Sequence, residues 1–313
     1  MILSVSRRTD IPSYYADWFY NRIREGFVCV RNPFSPRQIS RIPISPEAVD
    51  CIVFWTKNPA PMLSRLGELA DYHYYFQFTL TGYGRDAEPG ISDKRKVMIP
   101  VFQELSRIIG SDRVIWRYDP IFITPKYTED YHVRAFSAIA GALKGYTNNV
   151  VISFIDLYKK TRRNMQGLQL SSIKQEQMLR IAEKMALTAQ HCGMEIVSCS
   201  QKVSLEAAGV KAGSCISRRQ IEQILGCKLK GKKDRNQRAE CGCLESMDIG
   251  AYHTCRSGCR YCYAGDSQES VQKTAGLYDP EASVLCSQIC EAAGDTVSER
   301  KVESLKEAQL CLF

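Results

Sequence analysis

Several features that mark common classes of protein are missing from this sequence. The N-terminus lacks the apolar run of a signal peptide, and no stretch of the 313 residues approaches the length of a membrane span. No Walker motif and no dinucleotide-binding glycine motif occurs, which disfavours an ATPase or an NAD-dependent enzyme. Only four histidines are present, which also disfavours a hydrolytic zinc enzyme. We therefore expect a cytoplasmic protein without a membrane partner.

The composition is that of an ordinary globular chain with a moderate excess of positive charge. Hydrophobic residues make up 44% and charged residues 24%, which excludes a disordered or collagen-like chain. Lysine and arginine number 42 against 34 acidic residues, giving a net charge of +8. This excess suits nucleic acid, a nucleotide or another small anionic substrate. The densest basic stretch covers residues 228–238, and its alternative interpretation is a solvated linker.

Short apolar runs alternate with amphipathic helical stretches six times before residue 200. The strand candidates, rich in β-branched and aromatic residues, are residues 2–5, 51–55, 74–80, 113–116, 150–154 and 195–198. Helices are predicted at residues 13–25, 100–109, 128–143, 172–192 and 218–225. The pattern predicts an α/β fold of repeated βα units around a parallel sheet, either a partial barrel or a doubly wound sheet.

The sequence changes character after the last predicted strand. A basic stretch is followed by a cysteine-rich segment, and we place a domain boundary near residue 230. Residues 1–230 then form the βα domain and residues 231–313 form a C-terminal extension. At its end, residues 296–310 are interpreted as an amphipathic helix or a frayed tail.

Cysteine is unusually abundant, with fourteen residues. In a reducing compartment, metal ligation explains this number better than disulfides do. Cys255, Cys259 and Cys262 stand at C-x3-C-x2-C spacing, which lets a short loop give one thiolate to each of three irons and leaves a fourth iron open. The alternative is a structural zinc site completed by His253 or Cys243. We favour an iron–sulfur cluster because the triplet is not accompanied by a second C-x2-C pair and histidines are few.

A second group of cysteines lies outside this triplet. It consists of Cys199, Cys215, Cys241 and Cys243, of which the first follows the sixth predicted strand. These residues are interpreted as ligands of a second iron–sulfur cluster or a zinc ion. The alternative is that they are scattered reduced thiols, because pairing between distant loops cannot be read from spacing.

Residues 255–262 resemble the C-x3-C-x-aromatic-C signature of radical S-adenosylmethionine enzymes, with Tyr261 as the aromatic residue. Nearly all of the chain also resembles a bacterial and archaeal family of unknown function, through SRRTD at 6–10, FWTKNP at 54–59, RYDP at 117–120 and the cysteine segment. The resemblance to the radical enzymes implies a partial (βα)6 TIM-like barrel with a C-terminal cluster-binding segment. It also implies a [4Fe–4S] cluster, S-adenosylmethionine and a reductant such as flavodoxin or ferredoxin. Because the triplet comes last here, it would have to fold back over the barrel mouth.

Charged side chains follow most of the predicted strands, where the functional groups of βα folds lie. The candidates for holding a carboxylate or phosphate group are Arg7, Arg8, Lys57 and Arg117. The candidates for holding a ribose or moving a proton are Asp10, Asp119 and Asp156. The alternative is an ion-pair network that braces the ends of the strands.

These features together predict an enzyme that generates a 5′-deoxyadenosyl radical. The radical would abstract hydrogen from an anionic small molecule or a nucleotide-like substrate. The alternative is a non-radical iron–sulfur or zinc protein that binds nucleic acid through the basic stretch.

Overall fold

The structure, a computed structural model, describes residues 1–265 and 267–307. The strands are β1 Ile2–Val5, β2 Phe27–Arg31, β3 Gln38–Pro43, β4 Cys51–Thr56, β5 Tyr74–Thr79, β6 Val114–Ile121, β7 Asn149–Phe154, β8 Glu195–Cys199, β9 Lys211–Gly213, β10 Met247–Asp248 and β11 Thr296–Glu299. The α-helices are α1 Ile11–Tyr14, α2 Ala16–Glu25, α3 Ile99–Ile109, α4 Glu129–Leu143, α5 Lys159–Asn164, α6 Gln175–His191, α7 Arg218–Leu225 and α8 Gln268–Ala275. None of these helices combines the length and the hydropathy needed to cross a bilayer.

The central sheet has eight strands in the order β10-β1-β4-β5-β6-β7-β8-β9. All neighbouring strands in it are parallel. The six strands expected from apolar runs are β1, β4, β5, β6, β7 and β8, and they follow one another across the sheet in chain order. The predicted α/β fold with a parallel sheet is therefore confirmed. Because β10 and β9 are edge strands, the described residues form no closed barrel.

The two faces of the sheet are covered by different parts of the chain, because successive strand residues point to opposite sides. Phe54, Phe76 and Trp116 belong to the main core, together with residues of α2, α3, α4 and α6. Their neighbours Val53 and Tyr75 belong to a second core. That second core also contains Cys199, Cys215, Ile216, Ile221, Leu229, Cys241, Cys243 and Leu244. The βα crossover helices thus cover one face, and α7 with the cysteine-rich segment covers the other.

Local sequence explains where the helices begin and end. The hydroxyl of Thr128 accepts a hydrogen bond from the backbone N–H of Tyr131 and caps α4. Helix α7 begins after Ser217, whose side chain caps Gln220, and ends at Gly226, which has φ 67°. The helices predicted at 100–109, 128–143 and 218–225 accordingly agree with α3, α4 and α7 to within one residue.

Residues after 230 contribute strands to both sheets. β10 pairs with β1 at the edge of the central sheet. β11 pairs with β3 in a smaller sheet of order β11-β3-β2, in which β2 and β3 form a hairpin between β1 and β4. The interpretation of residues 296–310 as a helix or tail is therefore wrong for the residues of β11, while 308–310 lie outside the described residues. The domain boundary near residue 230 stays a prediction.

A buried histidine in α4 makes folding stability depend on pH. Tyr118 Oη lies 3.0 Å from Nδ1 of His132, and the carbonyl oxygen of Phe122 lies 2.9 Å from Nε2. Burial lowers the pKa of His132 to about 4, from 6.5. Between pH 6.5 and about pH 4, His132 is therefore protonated in the unfolded chain but not in the folded chain.

We expect His132 to cost roughly 3 kcal/mol of stability as the pH falls through this window. Urea unfolding at a series of pH values measures the effect. The His132→Gln variant should be less stable at neutral pH but should lack this part of the pH dependence. An unchanged slope in the variant would show that other groups cause the acid destabilisation.

Candidate metal centres

The segment that carries the cysteine triplet is attached to the carboxyl end of β1. The carboxylate of Asp248 in β10 accepts hydrogen bonds from Ser4 Oγ at 2.9 Å, from Ser6 Oγ at 2.7 Å and from the backbone N–H of Arg7 at 2.8 Å. A Cβ at Gly250 would lie 2.0 Å from Ser6 Oγ, so the close approach of the two segments requires glycine at this position. The triplet thus returns to the end of the first strand, although it is last in the sequence.

The triplet loop itself contacts the loop that follows β5. The backbone N–H of Gly90 donates to the carbonyl of Ser257 at 3.0 Å, and the N–H of Arg260 donates to the carbonyl of Ala87 at 3.0 Å. On its other side, Tyr14 Oη of α1 lies 3.1 Å from Ser257 Oγ. The loop is therefore held at the carboxyl ends of β1, β4 and β5, where ligands of parallel α/β folds bind.

The three thiols of this loop are half-buried. Burial and the negative charge of Asp10 raise the pKa of Cys255 to about 11. Burial also raises the pKa of Cys259, although Lys57 acts in the opposite direction. Without a metal, the thiols of Cys255 and Cys259 are therefore protonated at neutral pH. A bound iron or zinc ion would supply the positive charge that thiolates at this position need.

A buried carboxylate lies beside the triplet. Glu88 accepts hydrogen bonds from Lys57 Nζ at 2.7 Å and from Thr81 Oγ1 at 2.8 Å, and also from Lys94 and Tyr261. Burial opposes ionisation, but the two ammonium groups lower the pKa of Glu88 to about 2. Glu88 was not among the functional residues predicted from the sequence. The sequence showed only that Glu88 is an acidic residue in a loop that contains glycine and proline and follows a predicted strand.

The four cations predicted to hold an anion each have a carboxylate partner. Arg7 lies 3.6 Å from Asp234, Arg8 lies 3.8 Å from Asp248, Lys57 pairs with Glu88, and Arg117 pairs with Asp119. This arrangement matches the ion-pair network that was the alternative interpretation. Arg8 has the longest of the four separations, and its side chain is the most exposed at 24%.

The three predicted acids also have structural partners. Asp10 accepts from the N–H of Ser13 at 3.1 Å, which caps α1, and from the N–H of Lys57 at 2.7 Å. Burial raises the pKa of Asp10. Asp119 accepts from Arg117 and Ser153, and Asp156 accepts from Arg238 at 2.7 Å. Each of the three carboxylates therefore accepts hydrogen bonds from neighbouring protein groups.

The structure brings the second group of cysteines together. Cys199 ends β8, Cys215 follows β9, and Cys241 and Cys243 precede β10. The sulfur atoms of Cys199, Cys215 and Cys243 all lie within 4.8 Å of one another, and Cys241 contacts both Cys199 and Cys243. All four side chains are buried. These cysteines could hold a metal ion.

Hydrogen bonds from β5, from β6 and from the loop before α7 surround this group. The carbonyl of Cys215 accepts from Tyr75 Oη at 2.7 Å and from Gln77 Nε2 at 2.8 Å. The guanidinium of Arg117 donates to Cys215 Sγ, and the backbone N–H of Ile216 donates to Cys243 Sγ at 3.3 Å. Hydrogen bonds from neighbouring thiols, together with Arg117, lower the pKa of Cys215. The environment therefore favours thiolate at this position.

Comparison with known proteins gives one match. A family model described as "Domain of unknown function (DUF1848)" matches residues 2–264. This range includes both groups of cysteines and the ion pairs around them. No curated protein and no solved structure matches the chain.

Proposed function

The chain belongs to this family of unknown function, and from its two cysteine groups we propose that it is a radical S-adenosylmethionine-like enzyme. In this proposal Cys255, Cys259 and Cys262 bind a [4Fe–4S] cluster whose fourth iron has no protein ligand. When bound, the cluster would pass one electron from a flavodoxin- or ferredoxin-like reductant to the sulfonium of S-adenosylmethionine. This step would give methionine and a 5′-deoxyadenosyl radical. The substrate proposed for this radical is a small anionic or nucleotide-like molecule.

The position of the triplet loop is the main support. The loop packs against Gly90 and Ala87 at the carboxyl ends of the parallel strands, with three half-buried thiols. In parallel α/β folds this end of the sheet is where ligands bind.

The order of the strands supports a barrel-type fold. Six parallel strands follow one another in chain order, and residues of α2, α3, α4 and α6 share the core on one face. A doubly wound sheet would reverse its strand order and place helices on both faces. We therefore propose that the sheet is an arc of a (βα)6 partial barrel, with the cysteine-rich segment on its inner face.

We propose different roles for the charged residues around the triplet. Arg8 is the best candidate for binding the carboxylate of the cosubstrate, since its ion pair is the loosest of the four and its side chain is the most exposed. Lys57 orients Glu88 and Tyr261 beside the cluster ligands. Arg7, Arg117, Asp10, Asp119 and Asp156 are proposed to hold the site in place through the contacts described above.

A second candidate function, nucleic-acid binding, has one specific observation in its favour. Residues of the basic stretch line an open surface cavity of about 480 Å³, namely Lys232, Lys233, Asp234, Arg235, Gln237, Arg238 and Ala239. Such a surface could contact phosphates, and binding there would weaken steeply with salt. It would not produce 5′-deoxyadenosine.

Reductive cleavage of S-adenosylmethionine tests the main proposal. The protein is reconstituted anaerobically with iron and sulfide, reduced with dithionite and incubated with S-adenosylmethionine, and 5′-deoxyadenosine is measured by chromatography. We expect product from the wild type and a loss of about a hundredfold or more in Cys259→Ala, because one iron loses its ligand. Cys192→Ala, a half-buried cysteine outside both groups, is the matched control and should retain activity.

Two results would contradict the proposal. A cluster that assembles on the triplet without any 5′-deoxyadenosine would favour electron transfer or a structural role. Failure of Cys255, Cys259 and Cys262 to bind iron under these conditions would favour zinc at the triplet.

A further inference from the structure

Three of the four buried cysteines outside the triplet have the spacing of ligands to a single metal ion. A tetrahedral zinc site with Zn–S bonds of about 2.3 Å places its sulfur atoms about 3.8 Å apart. The sulfur atoms of Cys199, Cys215 and Cys243 lie within 4.8 Å of one another. In a cubane cluster each thiolate binds a different iron, which separates the sulfur atoms further. The spacing therefore favours one ion over a second cluster.

The fourth cysteine lies beside these three. The sulfur atom of Cys241 is outside the set in which all sulfur atoms are within 4.8 Å of one another, but its thiol is hydrogen-bonded to Cys199 and Cys243, which belong to that set. All four side chains are at most 8% exposed. Structural zinc sites have four protein ligands and no position for water, whereas catalytic sites keep one position open. We propose that Cys199, Cys215, Cys241 and Cys243 bind one Zn²⁺ ion as a closed tetrathiolate site, independent of the triplet and its cluster.

The surroundings suit the charge of such a site. Four thiolates around one zinc ion carry a net negative charge, which a buried site must offset. Arg117, itself buried, donates to Cys215 Sγ, and the N–H of Ile216 donates to Cys243 Sγ at 3.3 Å. Donors of this kind around ligand sulfur atoms orient the ligands and stabilise the bound metal.

The zinc ion would connect the C-terminal segment to the sheet. Cys199 and Cys215 belong to β8 and to the residues after β9, whereas Cys241 and Cys243 precede β10. β10 pairs with β1 through only two residue pairs, Leu3 with Met247 and Ser4 with Asp248. The ion would therefore add a strong attachment to the hydrogen bonds that hold the segment leading into the triplet loop.

Metal analysis of the full chain tests this site separately from the proposed radical chemistry. A variant with Cys255, Cys259 and Cys262 all changed to alanine is purified and its zinc content measured. We expect about one zinc per chain, bound by four sulfur atoms at about 2.3 Å in X-ray absorption spectra. This result does not require the four cysteines to be mutated, so it does not depend on the folding of such variants. It would hold even if the wild type made no 5′-deoxyadenosine.

A second pair of measurements identifies the ligands and the role. Cys243→Ser in the triplet-free chain should lower zinc content at least tenfold, and Cys192→Ser should not change it. Removing zinc by chelation should raise amide hydrogen exchange in residues 241–264 at least tenfold. The proposal would be overturned if the chain contained no zinc, if these cysteines held iron with sulfide or formed a disulfide, or if the spectra showed nitrogen or oxygen ligands. It would also be overturned if Cys243→Ser kept its zinc or if chelation left hydrogen exchange unchanged.

Discussion

Glu88→Ala is expected to lower the free energy of unfolding by about 3–5 kcal/mol, because it leaves buried positive charge without its partner. The carboxylate is fully buried and pairs with Lys57 and Lys94, whose side chains are 12% and 18% exposed. Alanine would also remove the acceptor for the hydroxyl groups of Thr81 and Tyr261. Urea unfolding monitored by circular dichroism measures the loss.

A matched control distinguishes the loss of this buried ion pair from the loss of an exposed one. Glu104 pairs with Arg107 at 2.9 Å, but its side chain is 53% exposed. Glu104→Ala should therefore change stability by less than about 1 kcal/mol. If Glu88→Ala were no more destabilising than Glu104→Ala, the buried pair would contribute nothing beyond a surface ion pair.

The same carboxylate gives stability a second pH dependence. The pKa of Glu88 is about 2 in the folded protein and 4.5 in the absence of its partners. Its contribution is therefore fully present above pH 4.5 and is lost as the pH falls towards about 2, a change of roughly 3 kcal/mol. This window overlaps that of His132 only between about pH 4 and pH 4.5, so Glu88→Gln should flatten the pH dependence of stability mainly below pH 4.5.

Gly90→Ala is expected to displace the triplet loop and to lower iron incorporation on reconstitution by about tenfold, since each ligand must hold its metal geometry closely. A Cβ at this position would lie 2.7 Å from the carbonyl oxygen of Ser257 and 3.0 Å from that of Arg256. Both are backbone atoms of the triplet loop, so no side-chain rotation can relieve the clash. The accompanying loss of stability should be about 1–3 kcal/mol.

Iron and sulfide analysis after reconstitution, beside urea unfolding, measures both effects. Gly141→Ala in α4 is the control, because a Cβ there meets no atom within 4 Å. It should leave iron incorporation unchanged and stabilise the helix by about 0.5–1 kcal/mol. Normal iron incorporation in Gly90→Ala would show that the cluster does not depend on the contact between the triplet loop and the loop after β5.

Local sequence predicted the six inner strands of the central sheet, several of the helices and the triplet. The six parallel strands were predictable because buried strands require continuous apolar runs, and α3, α4 and α7 because their apolar residues repeat with the helical period. The C-x3-C-x2-C spacing was equally readable, because three ligands within eight residues must share one loop. β11 was misread because an edge strand of four exposed residues carries no such pattern.

Tertiary structure alone decided which distant side chains meet. Glu88 became the partner of Lys57 and Tyr261 because three separate segments meet near the end of β5: the residues after β4, the residues after β5 and the triplet loop. The local sequence of each segment does not indicate the other two. Cys199 comes from the end of β8, and Cys215, Cys241 and Cys243 come from two loops, so the distances between them depend on the order of the strands. Sequence periodicity records which face of an element is buried but not which element covers it. The two cysteine groups were therefore visible in the sequence as lists of residues, and only folding placed one group against one face of the sheet and the other at its carboxyl edge.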